Sequence, residues 1–194
     1  MRKSFSILTL ALSFLFMTSV AEADPLLFNT ILRGTNEFPS NASPGIGFST
    51  VSIDGNLMTV SVTFSGLLGN VTVSHIHCCA GPGANAGVAT QVPTFPGFPA
   101  GGQSGTYMAT FDLSLATSYN PAFITAQGGL AQAQAAFIAG MISGNTYFNI
   151  HTDLFGGGEI RGQLQAVPEP VTVLLFGSGL AGLLGAARRR RKVN

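Results

Sequence analysis

Apolar and polar side chains alternate along much of the chain between residues 26 and 165. In the segment 57–64, every second side chain from Met58 onward is apolar, whereas Thr or Ser occupies each position between. Because successive side chains of a strand point to opposite faces of a sheet, this pattern predicts a half-buried strand. The same reasoning predicts further strands at 26–33, 45–53, 71–77, 87–92, 105–113, 146–152 and 159–165.

Turn signals separate these segments. Asp54-Gly55-Asn56 predicts a tight hairpin turn, and the three prolines of 93–99 predict a loop, since proline cannot donate to a sheet ladder. One helix is predicted at 130–142. Many short strands joined by Gly- and Pro-containing turns predict an all-β fold. We expect an antiparallel Greek-key β-sandwich, immunoglobulin-like or superoxide-dismutase-like, with that one short helix.

The first 23 residues carry the features of a secretory signal peptide. Arg2 and Lys3 are followed by an apolar stretch over 7–20, and Ala21 and Ala23 form an A-x-A cleavage site. A buried helix of the core is the alternative interpretation. Cleavage by signal peptidase would leave a mature chain that begins at Asp24, outside the cytoplasm.

The last residues form a three-part arrangement. Pro168, Glu169 and Pro170 precede an uncharged, mostly apolar segment over 171–187, and five basic residues follow at 188–192. At about 1.5 Å per residue, the apolar segment would reach about 25 Å as a helix, slightly less than a hydrocarbon core of about 30 Å. It has no polar face at helical spacing, which disfavours a soluble helix. The basic cluster would remain cytoplasmic.

This ending resembles the PEP-CTERM sorting signal of Gram-negative bacteria, and the resemblance covers residues 167–192. It implies recognition by an exosortase, a membrane cysteine transpeptidase or protease, with cleavage near the Pro-Glu-Pro motif. The expected route is an inner-membrane intermediate held by 171–187, followed by the cell surface or extracellular matrix. A segment that is kept as a plain anchor is the alternative. The domain organisation predicted is a signal peptide at 1–23, a folded domain at 24–166 and a sorting signal at 167–194.

Charge is segregated to the two ends. Seven of the nine cationic residues lie there, and residues 24–167 keep only Arg33 and Arg161 against six acidic residues, which gives that segment a charge of −4. A nucleic-acid-binding protein needs a cationic patch to displace counterions from phosphates. We therefore expect no nucleic-acid partner.

Several short motifs occur in order between the two ends. They are Leu32-Arg33-Gly34-Thr35-Asn36-Glu37-Phe38-Pro39, His75-Ile76-His77, Tyr147-Phe148-Asn149-Ile150-His151-Thr152 and Gly158-Glu159-Ile160-Arg161-Gly162. They resemble the L-x-G-x-x-E-x-P, H-I-H, Y-x-N-x-H-T and G-E-I-R-G motifs of the CHRD (chordin) domain over about residues 26–165. The resemblance implies a secreted β-sandwich module. Cys78-Cys79 is a departure, because many members of the family have a Gly-containing turn there.

All three histidines of the chain lie within these motifs. Strand alternation places His75 and His77 on one face, and the same argument predicts one polar patch that gathers His75, His77, His151, Asn149, Glu159 and Arg161. Three imidazoles could hold Cu or Zn, the only cofactors that the sequence suggests. The H-x-H strand is also similar to one in Cu/Zn superoxide dismutase, a likeness of fold and one tripeptide that does not settle function. The other interpretation is a hydrogen-bonded cluster in which Glu159 pairs with Arg161.

Cys78 and Cys79 would reach an oxidising compartment after export. They could form a vicinal disulfide, bridge to another chain, or remain thiols that act as soft metal ligands. No Ser/His/Asp signature, nucleotide loop or paired-carboxylate cleft stands out, so we expect a non-enzymatic binding or structural protein. Its partners would be extracellular polysaccharide or another protein. The alternative function is a metal-binding or redox protein that uses His75, His77 and His151.

Overall fold

Eight strands and two short α-helices make up residues 24–168, the part of the chain that the computed structural model describes. The helices are α1 (Pro121–Gln127) and α2 (Leu130–Ile142), and single 3-10 turns occur at Gly34–Asn36 and Ala116–Ser118. The strands are β1 (Leu26–Arg33), β2 (Ile46–Asp54), β3 (Leu57–Ser65), β4 (Val71–Cys78), β5 (Gly105–Asp112), β6 (Thr146–Thr152), β7 (Ile160–Gln163) and β8 (Gln165–Ala166).

The strands form one antiparallel sheet in the order β4-β6-β7-β1-β2-β3-β5, and β8 pairs with β1. The sheet curls so that its two ends face each other across the core. The Phe95 ring shows this, because its centre lies 5.3 Å from that of Phe111 on β5 and 5.9 Å from that of Phe148 on β6. The prediction of an all-β antiparallel fold is confirmed. The Greek-key assignment, immunoglobulin-like or superoxide-dismutase-like, stays a prediction.

The sequence alternation sets the register of the strands. In the β2–β3 hairpin, Asp54 pairs with Leu57 and Val51 pairs with Val60, so the apolar positions of both strands meet on the core face. Gly55 has a φ of +55°, a conformation that favours glycine at the turn. The buried side chains of both ends and of helix α2 join in one hydrophobic core.

One predicted strand is absent, and one helix was missed. The segment 87–92 is not a strand but carries two isolated bridges, because the backbone N–H groups of Ala89 and Thr90 both donate to the Ile76 carbonyl. Helix α1 was not predicted. The Asn120 side chain caps it by accepting from the Ala122 N–H, and Gly128 ends it in a left-handed conformation.

Both predicted targeting segments lie outside the described residues. These are the signal peptide at 1–23, with its Ala21 and Ala23 cleavage site, and the membrane segment at 171–187, together with Glu169 and Pro170 of the sorting motif. Within residues 24–168, no helix is long and apolar enough to cross a membrane.

Candidate functional site

The structure brings the three histidines together on one face of the sheet. His75 and His77 come from β4, and His151 comes from the neighbouring β6, where it lies opposite Val73. The three ring centres are 5.6 to 5.9 Å apart. One ring nitrogen from each residue can be chosen so that the three lie within 4.8 Å of one another. All three side chains are buried.

Each imidazole is held by a backbone carbonyl from a loop. His75 Nε2 lies 2.6 Å from the Pro93 oxygen, His77 Nδ1 lies 2.9 Å from that of Ala86, and His151 Nδ1 lies 3.0 Å from that of Gly156. A carbonyl has no proton to give, so each of these nitrogens must be the N–H donor. In the neutral ring, the other nitrogen therefore carries a lone pair.

Burial lowers the pKa of all three imidazoles below the usual value, because the charged form loses its hydration. The effect is largest for His77, where burial and the neighbouring His151, His75 and Arg161 charges outweigh the hydrogen bond to Ala86 and bring the pKa to about 4. The cluster is therefore neutral at pH 7. Neutral imidazole is the form that can coordinate a metal ion.

Tyr147 links the histidine cluster to Arg161. Its ring stacks on His77 with the ring centres 4.7 Å apart, and the Arg161 guanidinium carbon lies 4.6 Å from the centre of the tyrosine ring. The Tyr147 hydroxyl also bonds both backbone groups of Ala86, the residue whose carbonyl orients His77. Tyr147 thus holds His77 in two ways: its ring packs on the face of the imidazole, and its hydroxyl positions the Ala86 carbonyl that accepts from the imidazole N–H.

The predicted pairing of Glu159 with Arg161 is wrong. Arg161 instead lies 3.8 Å from a carboxylate oxygen of Glu37, and both side chains are buried. It also donates to the Asn36 carbonyl and to Asn85 Oδ1. Arg161 therefore ties the turn after β1 to the loop after β4.

Glu159 has an environment of its own. Its fully buried carboxylate accepts hydrogen bonds from the Ser43 and Thr152 hydroxyls and from the backbone N–H groups of Leu68 and Gly69. Burial alone would raise the pKa of Glu159, but these four donors outweigh it and hold the pKa below the usual range. Glu159 is an anchor for two loops and does not contact the imidazoles through a hydrogen bond.

Asn149 lies between the two regions, since it pairs with His75 on β4 and with Arg161 on β7. Its Oδ1 is buried without a hydrogen-bond partner, as is Oε1 of Glu37. Both oxygens pack against Gly158, and a Cβ on that glycine would lie within 2.7 Å of each. Asn149 therefore belongs to the predicted polar patch, which extends beyond the prediction to Glu37.

Cys78 and Cys79 are joined by a disulfide in this structure. Of the three predicted options, the vicinal bond is the one observed, so neither sulfur is a free thiol ligand. The disulfide packs on helix α2 at Gly140, where a Cβ would lie 2.7 Å from Cys78 Sγ and 2.9 Å from Cys79 Sγ.

The sequence analysis missed the groups that orient the side chains of the site, namely Glu37 and the three carbonyls that accept from the imidazoles. Glu37 was available as the acidic residue of the first motif, but nothing local indicates that its partner is Arg161. The carbonyls of Ala86, Pro93 and Gly156 leave no signal in the sequence, because every residue has a carbonyl.

Comparison with known families agrees with the motifs. A family model of the CHRD domain matches residues 28–164, and a model of the PEP-CTERM protein-sorting motif matches residues 166–191. Both resemblances inferred from the sequence are confirmed. No curated protein and no solved structure matches the chain significantly.

Proposed function

The chain belongs to the CHRD domain family, and we propose that it is an exosortase-processed module of the cell surface or extracellular matrix with a binding or structural role. The PEP-CTERM motif makes it an exported protein directed to the cell surface. What the protein would contribute there is the folded domain at 24–166. The inner-membrane intermediate and the cleavage of both ends belong to this proposal.

The position of the last described strand relative to the sorting motif is the observation that carries the proposal. Among residues 24–168, the last strand is β8, which ends at Ala166, and the Val167 N–H still donates to the Leu27 carbonyl at 2.8 Å. Pro168 follows at once and is exposed. Cleavage at the Pro-Glu-Pro motif would therefore leave intact the backbone hydrogen bonds that residues 24–167 make within the sheet.

A binding role is supported by a cavity of about 730 Å³ beside the first motif. Polar side chains that include Glu37, Arg161 and Gln163 line it, and the exposed ring of Phe38 lies at its edge. Clefts of a few hundred to about 1,000 Å³ are typical of small-molecule sites. A saccharide unit of an extracellular polymer is the partner that we propose, because such a ligand presents hydroxyl groups and an apolar ring face together.

The experiment compares the protein in two bacterial strains, one with and one without a functional exosortase. We expect mass spectrometry of the exported species to find a first residue at Asp24 and a last residue within 167–170. In the strain without exosortase, the chain should stay in the membrane fraction and keep the basic cluster at 188–192. A mature surface species that still carries this cluster would refute the processing and support a plain anchor.

Binding is tested separately on the processed protein. Isothermal titration with oligosaccharides from the surface polymer of the same strain should show saturable binding. Glu37→Ala, which alters the cavity wall, should weaken it, whereas Asp54→Ala at the exposed end of β2 should not. Equal affinity in both variants would place the site elsewhere.

A further inference from the structure

We propose that His75, His77 and His151 together bind one Zn(II) or Cu(II) ion. The ligand atoms are His75 Nδ1, His77 Nε2 and His151 Nε2. This site is independent of the export function and of the cavity beside Glu37.

Three unsatisfied nitrogens carry the inference. Each of the three ligand atoms is buried without a hydrogen-bond partner. A buried polar atom that lacks a partner costs about 1–3 kcal/mol, so three of them on adjacent rings are expensive in a cluster that only stabilises the fold. Neutral rings oriented in this way present acceptors to one another and cannot satisfy each other. A cation that accepts all three lone pairs removes the conflict.

The outer contacts match those of metal-binding imidazoles. A histidine that ligates a metal commonly donates its other ring N–H to a carbonyl or carboxylate, which fixes the tautomer and the ring orientation. All three rings do this here, with the carbonyls of Ala86, Pro93 and Gly156. These three carbonyls thus fix each ring in the tautomer that metal coordination requires, although their own residues do not bind the ion.

The spacing requires little movement. Zn–N bonds of about 2.0–2.1 Å in tetrahedral geometry place ligand nitrogens about 3.3 Å apart. Where one nitrogen from each ring is at most 4.8 Å from the other two, each would move toward the common centre by at most about 0.9 Å to reach that geometry. Small side-chain rotations on β4 and β6 provide such a shift without a change in strand pairing.

The ligand chemistry selects the class of ion. The cluster consists of imidazoles alone, and Ca(II) and Mg(II) require oxygen ligands. Zn(II) and Cu(II) bind imidazole well. Three protein ligands leave at least one coordination position for water or a small ligand, as in zinc sites that are not purely structural.

The first experiment uses the wild-type full chain, purified in detergent without a polyhistidine tag. Because the chain contains only three histidines, any imidazole signal must come from this cluster. We expect one Zn(II) per chain after removal of excess ion, and a Co(II) derivative with the strong visible absorption of a tetrahedral site. Cu(II) should show electron paramagnetic resonance coupling to imidazole nitrogen, and Ca(II) and Mg(II) should not compete. Substoichiometric Zn(II) binding without these spectra would overturn the proposal.

The second experiment locates the site by substitution. His75→Ala, His77→Ala and His151→Ala should each weaken Zn(II) binding by at least about tenfold, since even the loss of an outer partner costs that much. Val73→Ala is the matched control, because Val73 lies opposite His151 in the sheet and has no ligand atom. The double variant Cys78→Ser/Cys79→Ser should keep wild-type affinity. Unchanged affinity in any histidine variant, or loss of binding in the serine variant, would refute the assignment. If a histidine variant does not fold, electron paramagnetic resonance of the wild-type protein with Cu(II) is the test instead. Coupling to imidazole nitrogen would support the assignment, and its absence would refute it.

Discussion

Glu159→Gln should destabilise the domain more than any other conservative change of a buried charge in the described residues. The carboxylate is fully buried, and each of its oxygens accepts one hydroxyl and one backbone N–H. Glutamine has the same shape, but it replaces one acceptor oxygen by an NH₂ donor. The substitution therefore changes hydrogen bonding and leaves packing almost unchanged.

The magnitude follows from counting donors. The Ser43 or Thr152 hydroxyl can turn and accept from the new NH₂ group, but the backbone N–H of Leu68 or Gly69 cannot. The hydrogen bond from that N–H to the charged carboxylate is lost and the N–H stays buried without a partner, which costs about 1.5–3 kcal/mol in all. This expected loss is a substantial part of the usual stability of a domain of this size, which is about 5–15 kcal/mol.

Denaturant unfolding at pH 5.5, where Glu37 is mostly protonated and Glu159 is ionised, measures this loss. Circular dichroism is the signal, and equal slopes are the check on two-state behaviour. Glu37→Gln is the matched control. Glu37 is also buried, but one of its oxygens has no hydrogen-bond partner, so an NH₂ group at that place opposes no donor. A loss below about 1 kcal/mol for Glu159→Gln, or an equal loss in the two variants, would refute the anchoring argument.

Two further changes test the same region. Burial raises the pKa of Glu37 to about 7 against the lowering effect of Arg161. The folded state therefore holds the Glu37 proton more tightly than the unfolded state does. The stability that this proton contributes is complete below about pH 4.5 and is lost as the pH rises through 7, by at most about 3 kcal/mol. Unfolding of the wild type and of Glu37→Gln between pH 5 and 8.5 measures this, and parallel curves would contradict it. Gly158→Ala should lose on the order of 2 kcal/mol, since Gly158 has a φ of +126° and a Cβ would meet Asn149 and Glu37. Gly157→Ala, which meets no atom within 4 Å, should change thermal stability little, and similar melting temperatures of the two variants would contradict the argument.

The strands could be predicted from the sequence because half-buried strands leave a local signal. Segment 57–64 became β3 with its apolar positions on the core, and 45–53 matched β2 within one residue at each end. The segment 87–92 also contains Val and Thr, but it runs beside β4 irregularly, because the Thr90 hydroxyl accepts from the Ile76 N–H on β4. Side-chain competition of this kind is not visible in an alternation pattern.

Partner choice among buried charges could not be predicted, since it depends on strand neighbours. Glu159 and Arg161 are two residues apart, so alternation placed them on one face, but positions i and i+2 of a strand lie about 6.6 Å apart along it. The Glu159 and Arg161 side chains therefore form their ion pair and hydrogen bonds with residues of neighbouring segments, not with each other. Pairing of Arg33 on β1 with Arg161 on β7 brings the turn after β1, with Glu37, to the Arg161 guanidinium.

The buried polar residues on this face of the sheet differ in how many of their hydrogen-bonding atoms have partners. Glu159 has four donors and Arg161 has an ion pair and several acceptors, so both are explained by the loops that they hold. Those loops include the residues around Ala86, whose carbonyl orients His77. The histidines differ because each keeps one nitrogen unused at the centre of the cluster. Loss of an anchor should therefore lower stability first, whereas loss of a histidine should lower metal affinity first. Measurements of both quantities on the same variants separate the scaffold from the site.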